Sequence, residues 1–329
     1  MDLFIGARTM PWDYGKIPTS YLLLNDRSGK FIDVTNKLAP GLSQAGLITQ
    51  SSWVDLDKDG DMDLLLALEW GPMTAFINNK GSFTKKTLSD KSGWWNFVLP
   101  MDVDNDGDVD LVAGNLGLNS RLKASNEEPV RMYYNDFDDN GKNEQVLTYY
   151  VKGKELPFAN KAELEKQIPP LKKRFLYAKN LAEASLITIL TKEKLSSSTI
   201  FTANYFSNAV FINDGKMNFT SIALPFDAQF TSFRDAVAVN ANGDALPDLL
   251  LVGNYYDNNI EMGRYDADFG TLLINKGKGQ FVSQQVNGLM LKGQQRHIKK
   301  ILISGKEAFI LAQNNDSARV IQFARPAAK

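Results

Sequence analysis

Apolar residues fall in short runs of three to five along much of the chain, punctuated by Gly, Asn, Asp or Glu. Leu64–Leu68, Leu111–Ala113 and Leu249–Val252 are such runs. Their length and punctuation predict strands buried on both faces, not helices. Two units recur around them. In the first, an Asp-rich loop runs straight into a strand, at 55–63, 102–110 and, more weakly, 240–248. In the second, an apolar run ends in Asn, a polar Gly turn follows, and Phe opens the next run. The Asn and Phe residues are Asn25 with Phe31, Asn78 with Phe83, Asn213 with Phe219, and Asn275 with Phe281. Residues that tolerate positive φ between β-prone flanks predict hairpins.

The two units alternate, which predicts small antiparallel sheets of about four strands. Such a sheet cannot bury two apolar faces by itself, so its neighbours must stack on it. Radial stacking gives an all-β bladed propeller; a sandwich or a β-solenoid is the competing arrangement. Five or six blade-like units are expected, and the ring is not required to close. The whole chain, 1–329, reads as a single region of this kind. Its start resembles the tail of an Asp-rich loop, with Asp2 as the last acid, which predicts that the chain is a piece of a longer protein. One stretch breaks the pattern. Asn160 and Asn180 each precede a Glu by three residues, as at a helix N-terminus, and Pro169-Pro170 stops the first helix. A small helical insertion over 155–195 is expected, with Lys172-Lys173-Arg174 as a solvated face.

The Asp loops carry the chemistry. Alternate positions of a tightly turned loop point inward, and a calcium ion takes six to eight oxygens. In 55–63 the expected set is Asp55, Asp57, Asp59 and Asp63 by their carboxylates and Asp61 by its carbonyl. In 102–110 it is Asp102, Asp104, Asp106 and Asp110, with the carbonyl of Asp108. Gly at position six permits the turn. A third candidate is Asp136, Asp138, Asn140 and Glu144, with the carbonyl of Lys142. The fourth, Asn240, Asn242, Asp244, Leu246 and Asp248, has two carboxylates and has Ala245 in place of the Gly, and a vestigial turn is its alternative reading. An Asp-Gly turn without an ion is the bland alternative for the first two. Packing four carboxylates into one loop argues against it, because like charges about 4 Å apart repel by up to about 4 kcal/mol at an effective dielectric of 20. An all-oxygen protein cage favours Ca2+ over Mg2+.

Composition narrows the rest. There is no cysteine, which excludes disulfides, zinc–thiolate sites and Cys nucleophiles. His297 is the only histidine, so any imidazole base would have to be that one. A formal net charge of −1 gives no global attraction to nucleic acid. No stretch is long and apolar enough for a membrane-spanning helix.

The Asp-x-Asp-x-Asp-Gly-x-x-Asp-Leu loops and the apolar-Asn-x-Gly-x-Phe hairpins together resemble the FG-GAP (VCBS) repeats of integrin-α-like β-propellers. Gly93-Trp94-Trp95-Asn96, Gly114–Asn119 and Gly263–Asp266 are similar to large bacterial exported FG-GAP proteins, including those with an ASPIC/UnbV region. The resemblance implies a propeller, calcium in the loops, an extracytoplasmic location, and a binding or scaffold role; an enzyme is not expected. The expected partner is a protein or a glycan. Trp94, Trp95, Asn96, Asn115 and Asn119 are the candidate contact surface, and packing of both tryptophans between blades is the favoured alternative. A polysaccharide lyase is the second functional reading, with Arg264 and Tyr265 as its conceivable pair; a purely structural spacer is the third.

Overall fold

A computed structural model describes residues 2–323. The first sheet holds β1 (Leu3–Ile5), β2 (Tyr21–Asn25) and β3 (Phe31–Asp33), followed by a short helix α1 (Thr35–Leu38). The second holds β4 (Leu47–Val54), β5 (Asp63–Asn79) and β6 (Ser82–Trp94). β5 is a folded-back ribbon. Its two ends meet, with the Asn78 N–H donating to Asp63 at 2.7 Å, whereas an extended run of that length would span about 50 Å. The reversal lies near Trp70, whose φ is 65°. This sheet therefore has the four-strand course expected of one unit.

β7 (Phe97–Met101) and β8 (Asp110–Gly114) open the third sheet. Next in the chain come β9 (Val130–Asn135), β10 (Glu144–Val151) and β11 (Lys154–Pro157), then five short helices between Lys161 and Ser197, then β12 (Thr199–Ala203). These strands make a separate sheet in the order β11-β10-β9-β12. Only after them do β13 (Ala209–Asn213) and β14 (Phe219–Ala223) complete the third sheet, β13 pairing directly with β8. The helices span Lys161–Ser197; Asn160 caps the first, accepting from the Glu163 N–H at 3.1 Å. The break in the blade is wider than they are, because the sheet β9–β12 lies between β8 and β13 as well. The fourth arc sheet is β15 (Phe233–Val239), β16 (Asp248–Gly253), β17 (Thr271–Asn275) and β18 (Phe281–Gln284). The fifth is β19 (Gln295–Ile303), β20 (Lys306–Gln313) and β21 (Arg319–Ile321), with no Asp loop between its first two strands.

Stacking explains the unbroken apolar runs. Side chains alternate across a strand, so each second strand feeds two cores. Leu64, Leu66 and Leu68 of β5 face the first sheet with Leu22, while Leu65 and Ala67 face the third sheet with Leu111 and Phe211. Val112 and Val210 face the fourth sheet with Leu249 and Leu251. Leu250 and Val252 face the fifth with Ile298 and Leu311. The five sheets thus form an arc of blades in chain order, each buried against the next. Among the described residues no apolar core joins the fifth sheet to the first. The sheet β9–β12 packs on one end of the arc through Leu47, Trp70, Val130, Met132 and Phe201, and its own helices cover its other face.

Candidate metal sites and the loops that form them

The three Asp loops with a Gly at position six share one backbone course. Position four takes a left-handed φ, 61° at Lys58, 60° at Asn105 and 61° at Asp139. Position six follows with φ of 91°, 88° and 84° at Gly60, Gly107 and Gly141. A side chain at position six would be strained in that conformation. The position-one carboxylate fixes the turn, accepting from the position-six N–H at 3.0, 2.9 and 2.7 Å in the three loops. The position-five side chain accepts from the position-seven N–H at 2.8 Å in each.

The closing acid is buried and held at both oxygens in the arc loops. Asp63 accepts from Leu56 N–H and Asn78 N–H at 2.8 and 2.7 Å. Asp110 accepts from Val103 and Asn213 at 2.9 and 2.8 Å. Asp248 repeats this with Ala241 and Asn275. The hairpin Asn answers with its own side chain. Its amide nitrogen donates to the carbonyl just before the closing Asp (Met62, Val109, Pro247), and its oxygen accepts from the Gly-turn N–H groups of Gly81, Gly215 and Gly277. The loop and the hairpin are therefore two halves of one clip. At the start of the chain, Asp2 accepts from Asn25 N–H at 3.0 Å in the same way.

Alongside those bonds, carboxylate oxygens of each loop converge. One oxygen each from Asp55, Asp57 and Asp63 lie within 4.8 Å of one another, as do those of Asp102, Asp104 and Asp110, and those of Asp136, Asp138 and Glu144. Oδ1 of Asp55, Asp102, Asp104 and Asp138 is buried and accepts no hydrogen bond. An unpaired buried anionic oxygen is costly, and a cation at the point of convergence would remove that cost. Burial raises the pKa of Asp63 and Glu144, and takes Asp110 up to about 6. Asp104 is raised by burial first, then by the charges of Asp106 and Asp102. At Asp136 burial pushes the same way, but N–H donors from Gly141, Asn140 and Asp139 outweigh it and hold the carboxyl low.

The positions outside the converging sets differ. Asp59, Asp106 and Asn140 are exposed, bonded to the turn. The position-seven side chains point away: Asp61 accepts from Lys80 N–H at 2.7 Å, and Asp108 pairs with Lys58 of the preceding loop. The fourth loop gathers no carboxylate triad. Asn240 and Asn242 donate their amides to the Asp244 carbonyl and carboxylate, at 2.9 and 2.6 Å. The Leu246 N–H donates to Asp244. The left-handed residue at position four is Gly243, with φ of 81°, and Ala245 at position six does not follow it. Three loops line one end of the arc. Lys58 ties the first to the second, and Asn105 Nδ2 donates to the Ala245 carbonyl of the fourth at 2.9 Å. The 136–144 loop belongs to the sheet β9–β12 and is capped by Lys194, which donates to the Asp136 carbonyl and pairs with Asp139.

The expected contact surface is largely interior. Trp95 is completely buried, stacked on Tyr205 and edge-on to Phe211. Asn115 is also completely buried; it accepts from Trp94 N–H and donates to the Tyr205 carbonyl. These two residues are corrected to structural roles: the large ring fills the gap between blades, and the amide satisfies backbone groups there. Trp94 packs edge-on to Trp70 and Phe206, and Asn96 bridges to Ser232 and Phe233 of the next blade. Asn119 is exposed, donating to the Phe230 carbonyl. Arg264 and Tyr265 diverge. Tyr265 is buried with its hydroxyl on Ser120, while Arg264 is exposed over the Tyr256 ring.

Sequence reasoning took the hairpin Asn residues for turn formers and missed their clip to the closing Asp. The signal was present in their order, each closing Asp being followed by one such Asn: Asp2 by Asn25, Asp63 by Asn78, Asp110 by Asn213, Asp248 by Asn275. Among the described residues no helix is long and apolar enough to cross a membrane. No curated protein matches the chain. Residues 55–113, which run from the first Asp loop through the second into β8, match the family model of the FG-GAP-like repeat. That match lies on the loop–strand–hairpin unit that the arc repeats, so this stretch of the chain is similar to an FG-GAP-like repeat.

Proposed function

We propose that the loops at 55–63, 102–110 and 136–144 hold calcium, and that the protein is a calcium-stabilised, non-enzymatic blade scaffold that presents its surface to a protein or glycan partner outside the cytoplasm. The observation that carries this reading is the set of buried Asp oxygens with no hydrogen-bond partner, each in a loop whose other carboxylate oxygens lie within 4.8 Å. Three carboxylates, with the position-seven carbonyl and position five completing the shell, suit a large oxygen-seeking cation better than Mg2+, which keeps most of its waters. The fourth loop stays a metal-free turn. An extracytoplasmic setting fits the family match and the modest affinities of exposed calcium modules. Calorimetric titration of metal-free protein tests the assignment. Calcium is expected to bind exothermically or endothermically at saturable sites that Mg2+ at equal concentration does not fill, and equal filling by both ions would refute the calcium assignment.

A further inference from the structure

The end of the arc opposite the Asp loops carries a second, differently charged cluster. β4, β15 and β19 each hold one extra residue near their start, where the pairing slips: Thr49, Arg234 and Arg296. Asn96, directly before β7, occupies the matching place, its N–H donating to the Gly114 carbonyl. Bulges re-aim a side chain at such positions. Thr49 and Asn96 spend theirs on the next blade, Thr49 donating to the Trp95 carbonyl and Asn96 to Ser232 and Phe233. The two arginines do not. Both guanidiniums lie over one ring, Tyr255, at 4.7 Å for Arg234 and 5.5 Å for Arg296. Arg8 comes within electrostatic reach of Arg234, Tyr255 and Tyr14. The cluster's carboxylate, Glu69, is already taken by Arg8 in a two-pronged pair at 2.8 Å for both bonds.

Of the three guanidiniums, Arg8 is ion-paired, with Glu69. Arg234 donates to Asn96 Oδ1 at 2.7 Å, but its Nε is buried with no partner. Arg296 reaches the Gln294 oxygen at 3.4 Å. Among the described residues neither has a carboxylate within ion-pair distance, whereas Arg8, Arg121, Arg131 and Arg319 do. Asp257, on the same face, is bonded to Gln294 and Asn314. Burial and the neighbouring Arg296 and Arg8 push Arg234 down to about 10. Like charges held together on a ring face, with donors left over, match the fork geometry that carboxylates and phosphates satisfy.

We propose that Arg234 and Arg296, stacked on Tyr255 at the starts of β15 and β19 with the Glu69-paired Arg8 nearby, form a binding site for a small oxyanion, a carboxylate or phosphate group on a ligand. The site stands about 15–20 Å from the Asp loops along the inner strands and does not depend on the calcium assignment. Glucuronate and inorganic phosphate are the probes. Each is titrated calorimetrically into the full chain at constant ionic strength in chloride, once with calcium and once without, so that failure here and failure of the calcium reading are separate results. Saturable binding of at least one probe is expected, with Arg296→Met and Arg234→Lys each weakening it by at least about tenfold. Arg234→Lys keeps the charge and loses the fork, and it serves if the Met variant fails to fold. Binding of glucuronate alone identifies a carboxylate site, and of phosphate alone a phosphate site. No binding beyond that of chloride, or binding unchanged in both variants, overturns the proposal.

Discussion

Asp102→Asn and Asp110→Asn make the same one-atom change in the same loop, and the structure predicts opposite consequences. Asp110 is fully buried and accepts two backbone N–H bonds, from Asn213 at 2.8 Å and Val103 at 2.9 Å. An amide offers one acceptor, so one of those N–H groups must face an NH2. A lost bond to a charged acceptor costs about 1.5–3 kcal/mol and a stranded donor about 1–3 kcal/mol. Part of this is offset because burial of the ionised Asp110 is itself unfavourable. A net loss of about 2–4 kcal/mol in the metal-free protein remains. Asp102 accepts from Gly107 N–H through Oδ2, at 2.9 Å, while Oδ1 is buried without a partner. Its amide keeps the Gly107 bond and turns its NH2 into the cluster, removing one of three charges within 4.8 Å. That removes two pairwise repulsions, each about 3.5 kcal/mol at 4.8 Å and an effective dielectric of 20. In thermal melts without metal, Asp110→Asn should fall by several degrees, while Asp102→Asn melts at or above the parent. On adding calcium, both should lose the part of the stabilisation that comes from this loop. Equal destabilisation of both in the metal-free state would refute the division between clip and cage, and an intact calcium response in Asp102→Asn would refute the cage.

Three further outcomes follow from the same geometry. Asn275→Ala removes side-chain bonds to the Val103 and Pro247 carbonyls, at 2.7 and 3.0 Å, and from Gly277 N–H. At about 1 kcal/mol each it should cost about 3 kcal/mol in denaturant unfolding, by the same amount with and without calcium; a calcium-dependent loss would place Asn275 in a cage. Trp95→Ala should cost about 3–5 kcal/mol in the same assay, and a variant as stable as the parent would return Trp95 to the surface. The pH dependence should change sign with metal. Folded metal-free Asp110 takes up its proton at about 6, above the unfolded value of about 4. The metal-free fold therefore binds more protons than the unfolded chain and loses stability as pH rises through that window. With calcium the carboxylates stay ionised, and stability is lost as pH falls through it; parallel profiles from pH 4 to 7 in dialysed and calcium-loaded protein would contradict this.

The loops were legible because their chemistry is local. Asp at positions one, three and nine with Gly at six specifies both a backbone course and a charge cluster, and Asp55–Asp63 and Asp102–Asp110 show both. The blades were legible because Leu64–Leu68 and Leu249–Val252 are apolar at every position, which only a strand buried on both faces requires. Long-range pairing was not. β8 finds β13 across a whole additional sheet, and nothing in Leu111–Gly114 or Ala209–Asn213 alone fixes that partner. The 136–144 loop consequently reads like its two relatives although it stands on that additional sheet. Trp94 and Trp95 looked alike in sequence, and the neighbours that bury Trp95 completely include Tyr205 and Phe211, more than a hundred residues away. The arginine cluster escaped notice because Arg8, Arg234 and Arg296 share no motif; matching bulges bring the last two to one ring.

Counting bound ions tests the central claim most directly. Native mass spectrometry of metal-free protein equilibrated with calcium should show three ions per chain, falling to two in Asp102→Asn and remaining three in Asp244→Asn. A chain that carries no calcium, or whose count is unmoved by Asp102→Asn, would contradict the account.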